Sequence, residues 1–190
     1  MICRVSVHVF VDESRRGSTY LLAAVFLDTA ELGPIRVLLR GLRMPGERKV
    51  HFKSERDAVQ KDIAARLAET GLRGHIYHGR GLDEAVRGAC LTRLVADALV
   101  EGCTRFVLDS RGLEGDRADR RTVARVLQRH DAVDKMAYEH LRSHEDPALW
   151  IPDVLAWCHG AGGDWRRRIA PIVRAVTDIG TVDRNGRTVR

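Results

Sequence analysis

Residues 5–14 read VSVHVFVDES and residues 20–28 read YLLAAVFLD, and these two stretches decide the fold. In the first, Val5, Val7, Val9 and Val11 alternate with Ser6, His8 and Phe10, the period-two pattern of a strand, which then meets Asp12-Glu13-Ser14. Arg15-Arg16-Gly17-Ser18 supplies turn chemistry. The second stretch is almost wholly apolar, as a strand buried on both faces must be. The pair reads as a hairpin whose second strand lies inside a sheet covered by helices.

Outward from the hairpin, residues 29–43 read as a helix that restarts at Gly33-Pro34. After a polar loop over residues 44–49, Ser54 is placed to cap a helix from Glu55 to about Thr70, with Ala58, Ile63 and Leu67 inward and Gly71 closing it. His75–His78 is a short strand, and Leu82–Val100 a long amphipathic helix. Thr104–Ser110 is a strand running into an acid, residues 116–130 a basic helix, and Ala137–Leu141 a further short strand. Trp150–Cys158 is apolar except for Asp153; a final basic helix is expected over roughly 165–178, and a tail that frays from Gly180. With no linker, repeat or low-complexity segment, residues 1–190 read as one α/β domain whose basic C-terminal helix and tail begin near residue 164.

Composition narrows the class. The chain has 190 residues, 44% hydrophobic and 31% charged, enough for one sizeable core and unlike a disordered chain or a disulfide miniprotein. No run approaches the roughly 18 apolar residues of a membrane span, and the N-terminus lacks a small-residue cleavage site, so a cytoplasmic protein is expected. Cys3, Cys90, Cys103 and Cys158 form no CxxC pair, which argues for reduced, buried thiols. The net charge is +6, and only four of the 32 basic residues are lysines. Arginine suits phosphate recognition, but a genome-wide preference for arginine is the plainer source of the excess, so basicity permits a nucleic-acid partner without demonstrating one.

Three carboxylates stand where a core-building sequence would not put them. Asp12 and Asp109 each follow an apolar strand, and Asp153 interrupts Ile151-Pro152-Asp153-Val154-Leu155. Ligands of open α/β sheets bind beyond the carboxyl ends of strands, and neighbouring strands lie about 4.8 Å apart, so acids on two of them can share a cation. Alone, each acid is equally a cap or turn residue, and with Pro152 at the first helical position Asp153 suits a helix dipole. Together they are the donor set of Mg2+ or Mn2+, which take oxygen ligands and phosphate and serve phosphodiester chemistry. The segment His51-Phe52-Lys53-Ser54-Glu55, if extended, points His51, Lys53 and Glu55 to one side. His51 then supplies a proton-transfer group, Lys53 a phosphate contact and Glu55 a further metal ligand.

On these residues the chain resembles the DUF3800 family, assigned to the ribonuclease H-like superfamily: VFVDES (9–14) with YLLAAVFLD, then HFKSE (51–55), VLDSR (107–111) and LWIPDVLAW (149–157) follow its order. The resemblance implies a mixed central sheet flanked by helices and a metal-dependent nuclease-type site. Asp12 matches the first-strand acid, Glu13 its neighbour, Asp109 the later strand acid and Asp153 the late-helix acid, with His51, Lys53 and Glu55 in the middle segment. Two positions depart from the pattern: the glycine after DES is delayed to Gly17, and Pro152 stands where the family has alanine.

The expected activity is hydrolysis of RNA or DNA with Asp12, Asp109 and Asp153 on the metal and Glu13 or Glu55 assisting. Lys53, Arg111, Arg117 and Arg121 hold the backbone. A second reading keeps the fold without catalysis, as a nucleic-acid-binding or interaction protein of a defence or toxin system. A third is a metal-dependent hydrolase of a small phosphorylated molecule. No GxSxG, P-loop or dinucleotide motif is present. His140 and His144 lack the intervening glutamate of a zinc protease helix and read as surface histidines. Trp150, Trp157 and Trp165 approach one stripe, which suits core or homodimer packing more than base stacking. Arg166-Arg167-Arg168 reads as a solvated face.

Overall fold

A computed structural model describes residues 6–189, so Cys3, Val5 and the last residue lie outside the described part. The hairpin is present: β1 (Val7–Arg16) and β2 (Thr19–Asp28) run antiparallel around Gly17, whose φ of +57° favours a residue without Cβ. β1 continues past the acids to Arg16, so Asp12 is paired across from Ala23 within the sheet rather than capping its end. Every residue from Tyr20 to Leu27 is buried, as the apolar run requires.

The remaining elements are α1 (Leu32–Leu42), a 3-10 turn (Phe52–Ser54), α2 (Asp57–Ala68), β3 (Arg73–Gly81), α3 (Asp83–Val100), β4 (Cys103–Asp109), α4 (Leu113–Arg129), β5 (Ala137–Leu141), a second 3-10 turn (Pro147–Leu149), α5 (Trp150–Ala161), α6 (Gly163–Ile169), β6 (Val173–Val182) and β7 (Thr188–Val189). They build a seven-stranded sheet in the order β5-β4-β1-β2-β3-β6-β7. β4 lies parallel to β1 and β5 parallel to β4, while β2 and β3 are antiparallel to their predecessors.

Strand alternation sorts the sheet into two cores. Phe10, Leu21, Ala23, Val25 and Val107 face α1, α2 and α5 through Ile35, Leu39, Ile63, Leu67, Val154 and Leu155. Val9, Val11, Leu22, Phe106 and Leu108 face α3 and α4 through Leu91, Leu94, Val95, Val123 and Val126. This is a mixed α/β fold, a seven-stranded sheet with helices on both faces.

Several expectations fail locally. The helix over 165–178 stops at Ile169 because Pro171, two residues on, offers no N–H to continue it. Residues 173–182 then alternate in exposure and pair in parallel with β3, and the tail returns as β7. α2 begins at Asp57 with no side-chain cap, since Ser54 ends the 3-10 turn, and Ala58 is exposed rather than inward. Cys90, Cys103 and Cys158 are free and buried, and burial pushes each thiol up to about 12. None of the described helices is long and apolar enough to cross a membrane.

Candidate functional site

Asp12 follows Phe10 by two residues and so shares its face; Asp109 follows Val107 in the same way. Val11 pairs with Leu108 across the parallel β1–β4 ladder, which puts the two acids side by side facing α5. Asp153 lies in the first turn of α5, which the 3-10 turn at Pro147–Leu149 starts at Trp150, two residues ahead of Pro152. The chain thus brings three acids from segments 44 or more residues apart to one face.

Their electrostatics record the crowding. Burial raises the Asp12 carboxyl well above its ordinary value, and the charges of Asp153, Glu13 and Asp109 raise it further; one hydrogen bond from the Glu13 N–H, at 2.7 Å, opposes them. Asp153 is pushed up to about 6, by burial first; Lys49 opposes the shift, Asp109 adds to it and His51 opposes it. Burial also raises Asp109, against Lys49 and a hydrogen bond from Ser143 Oγ to Oδ2 at 3.4 Å. Its Oδ1 is buried without a hydrogen-bond partner.

Among the described residues, no three His, Cys, Asp or Glu side chains are already gathered tightly enough to hold an ion. The donor chemistry fits a hard divalent cation: oxygen ligands only, buried carboxylates whose charged forms are disfavoured, and an orphaned carboxylate oxygen.

Of the other expected site residues, His51 reaches this face, since its charge acts on Asp153. The 3-10 turn replaces the extended segment, so the alternation that would align His51, Lys53 and Glu55 is absent. Phe52 drives the turn by burying its ring against Trp157 and Trp165 at 5.2 and 6.2 Å. Lys53 is left exposed, and Glu55 lies beside His51 in a small cavity with Met44, Glu47 and Ser54, away from the charges that dominate the three acids. The lysine that acts on the acids is Lys49, whose Nζ donates to Ser143 Oγ at 2.9 Å. It sits in a polar loop with no pattern to single it out.

Glu13 points to the opposite face. Its Oε2 accepts from Arg87 Nη1 at 2.7 Å, and Arg87 also donates to Tyr20 Oη at 3.0 Å and forks onto Asp119 at 2.8 and 2.7 Å. Arg87 is 2% exposed. Burial works against the Asp119 charge, yet hydrogen bonds from Arg87 and His140 hold its carboxyl well below the usual carboxylate range. His140 is therefore no surface histidine: its side chain is buried, with Nε2 3.4 Å from Asp119. Arg111 is committed to Glu84 at 2.6 Å and Asp119 at 3.3 Å, which removes it from a free phosphate-binding role. Arg117 and Arg121 are exposed on α4, across the sheet from the acids. A signal for the buried network exists: Arg87 falls in the apolar period of α3 with Cys90, Leu91 and Leu94, and Asp119 in that of α4 with Val123 and Val126.

No protein-family model matches the chain, and no curated protein matches it. Among solved structures it is similar to a chain of the PCNA:RNase HII complex from Archaeoglobus fulgidus, with 14% identity and a TM-score of 0.48 over 81% of this chain and 71% of that one. It is also similar to RNase H1 from the halophilic archaeon Halobacterium salinarum NRC-1 (14%, TM-score 0.35, 75% and 91%). A third similarity is to the human cytomegalovirus terminase nuclease domain (8%, TM-score 0.30, 92% and 65%).

Proposed function

We propose that this protein is a metal-dependent nuclease that hydrolyses phosphodiester bonds of RNA or DNA, with Asp12, Asp109 and Asp153 holding Mg2+ or Mn2+. The observation that carries the reading is the convergence of these three carboxylates on one face, where burial and neighbouring acids raise the proton affinity of Asp12 and Asp153 and Asp109 Oδ1 is left unpartnered. Such an arrangement costs folding free energy, and functional sites are where that cost is retained. Asp12, Asp109 and Asp153 would hold a divalent ion, whose positive charge would offset theirs and whose chemistry would be the polarisation of a phosphodiester.

The chain's own residues supply the rest. Asp12 and Asp109 sit on hydrogen-bonded neighbouring strands, so their carboxylates are fixed by the sheet rather than by a loop. Lys49 braces the acids through Ser143, whose carbonyl also accepts from Trp150 Nε1 at 2.6 Å and so ties the brace to the start of α5. His51 is exposed on the Asp153 side, where an imidazole nitrogen can give or take a proton at a leaving or attacking oxygen.

Purified protein should cleave an oligonucleotide in Mn2+ or Mg2+. Asp12→Asn should lower the rate by about 10²–10³-fold, the scale of losing one electrostatic group at a reacting centre, and EDTA should abolish cleavage. Cleavage unchanged in EDTA, or retained by Asp12→Asn, would overturn the assignment.

A further inference from the structure

β1 and α5 run side by side on the acid-bearing face. The Asp153 charge acts on Asp12 at one end of the pair, and a Cβ at Gly160 would meet Arg16 at the other. Four strand residues separate Asp12 from Arg16, about 14 Å; six helical residues separate Asp153 from His159, about 9 Å. At the Arg16 end lies an open cavity of about 510 Å³ lined by Arg16, Arg80, Arg166, His78, His159 and Leu21 among others, with no carboxylate in its lining.

The lining is built rather than incidental. Arg16 Cζ sits 5.0 Å from the Trp157 ring centroid, a favourable seat for a guanidinium. A Cβ at Gly160 would lie 2.6 Å from Arg16 Cγ, so the absent side chain makes room for the arginine to cross the helix. His159 is 6% exposed and stacks on His78 with ring centroids 6.3 Å apart. Arg166 Nη2 donates to the His159 carbonyl at 3.0 Å, which anchors one edge of its guanidinium and leaves other N–H groups free. The carboxylate of Asp178 stands 3.5 Å from His78 Nδ1 outside the lining. Burial first, then the charges of Arg166 and His78, lower His159 to about 4, so at neutral pH it offers a neutral imidazole N–H.

We propose that this cavity is a second anchoring point for the nucleic-acid backbone, taking a phosphate of the same strand a short way along from the bond held at the acids. The inference rests on the nuclease reading for its substrate class. Its chemistry, three arginines and two histidines, is that of any phosphate, so the test separates a strand from the free ion.

Anisotropy of a labelled single-stranded 12-mer is measured in EDTA, where cleavage plays no part, for the full chain, Arg16→Ala/Arg80→Ala and Asp12→Asn. The arginine pair should lose about tenfold in affinity, and its plot of log affinity against log salt should become shallower by about 1.4, the slope expected of two lost contacts to single-stranded phosphates. Both arginines are exposed, so folding should survive; Gly160→Ala, which pushes Arg16 aside, should reproduce the loss in part. Affinity and slope equal to wild type in the arginine variant would overturn the proposal. So would tight binding of inorganic phosphate alone that competes poorly with the 12-mer, since the cavity would then serve a free ion. If Asp12→Asn binds through Arg16 and Arg80 while no preparation cleaves, the nuclease reading falls and the anchoring point stands.

Discussion

Replacing Asp153 by asparagine should stabilise the metal-free protein while it destroys the site. The carboxyl is raised from 3.8 to about 6 in the fold, a net shift that already includes the help of Lys49 and His51. The folded state therefore binds more protons than the unfolded chain between those values, and stability falls as pH rises through that window. About two pKa units at 1.36 kcal/mol each amount to about 3 kcal/mol at pH 7.5. At pH 4.5 the folded group is protonated while the unfolded one is mostly ionised, leaving a difference of about 1 kcal/mol. Asparagine has nearly the same shape and no charge, so Asp153→Asn should gain these amounts over wild type. In urea with EDTA, about 3 kcal/mol displaces the midpoint by about 1 M for a chain of this size. Destabilisation by Asp153→Asn at pH 7.5, or a gain that fails to shrink at pH 4.5, would refute the claim that repelling, desolvated acids occupy this face.

Arg87→Ala should cost about 3–5 kcal/mol in thermal or urea unfolding, because it strands the buried Asp119 and the half-buried Glu13 without their cation; an unaltered midpoint would show that the network is dispensable. Titration with Mn2+ should stabilise the wild type by about 2.7 kcal/mol at a hundredfold excess over Kd. Asp109→Asn should lose most of that gain, since it removes the carboxylate whose Oδ1 has no other partner. Equal Mn2+ stabilisation of both proteins would place the ion elsewhere.

Much of the site was legible because strand alternation is local. Asp12 belongs with Phe10 and Asp109 with Val107 whatever the rest of the chain does, and both facts can be read from residue spacing. The same rule separates Glu13 from Asp12, although their adjacency in the DES motif suggests joint action. Misreadings fell where burial elsewhere overrode a local pattern. Phe52 reaches Trp157 and Trp165 only by turning the backbone, and that turn undoes the alignment of His51, Lys53 and Glu55. The open edge of β3 recruits residues 173–182 as a strand after Pro171 has ended the helix. Arg87 and Asp119 sit at apolar positions of two different helices, and each is intelligible only once the other is seen opposite it.

Residue periodicity by itself determined the hairpin, the doubly buried β2, the order of most elements and the facing of each acid, because side-chain direction along a strand or helix is a property of neighbouring residues. Only the tertiary structure decided that β1 lies against β4, that α5 brings Asp153 over them, that Lys49 rather than Lys53 is the attending cation, and that Arg16, Arg80 and Arg166 surround one cavity. Those outcomes depend on contacts between segments far apart in the chain, where the free energy of burying Phe52, Trp157 and the sheet's apolar faces selects one arrangement among many that local spacing permits.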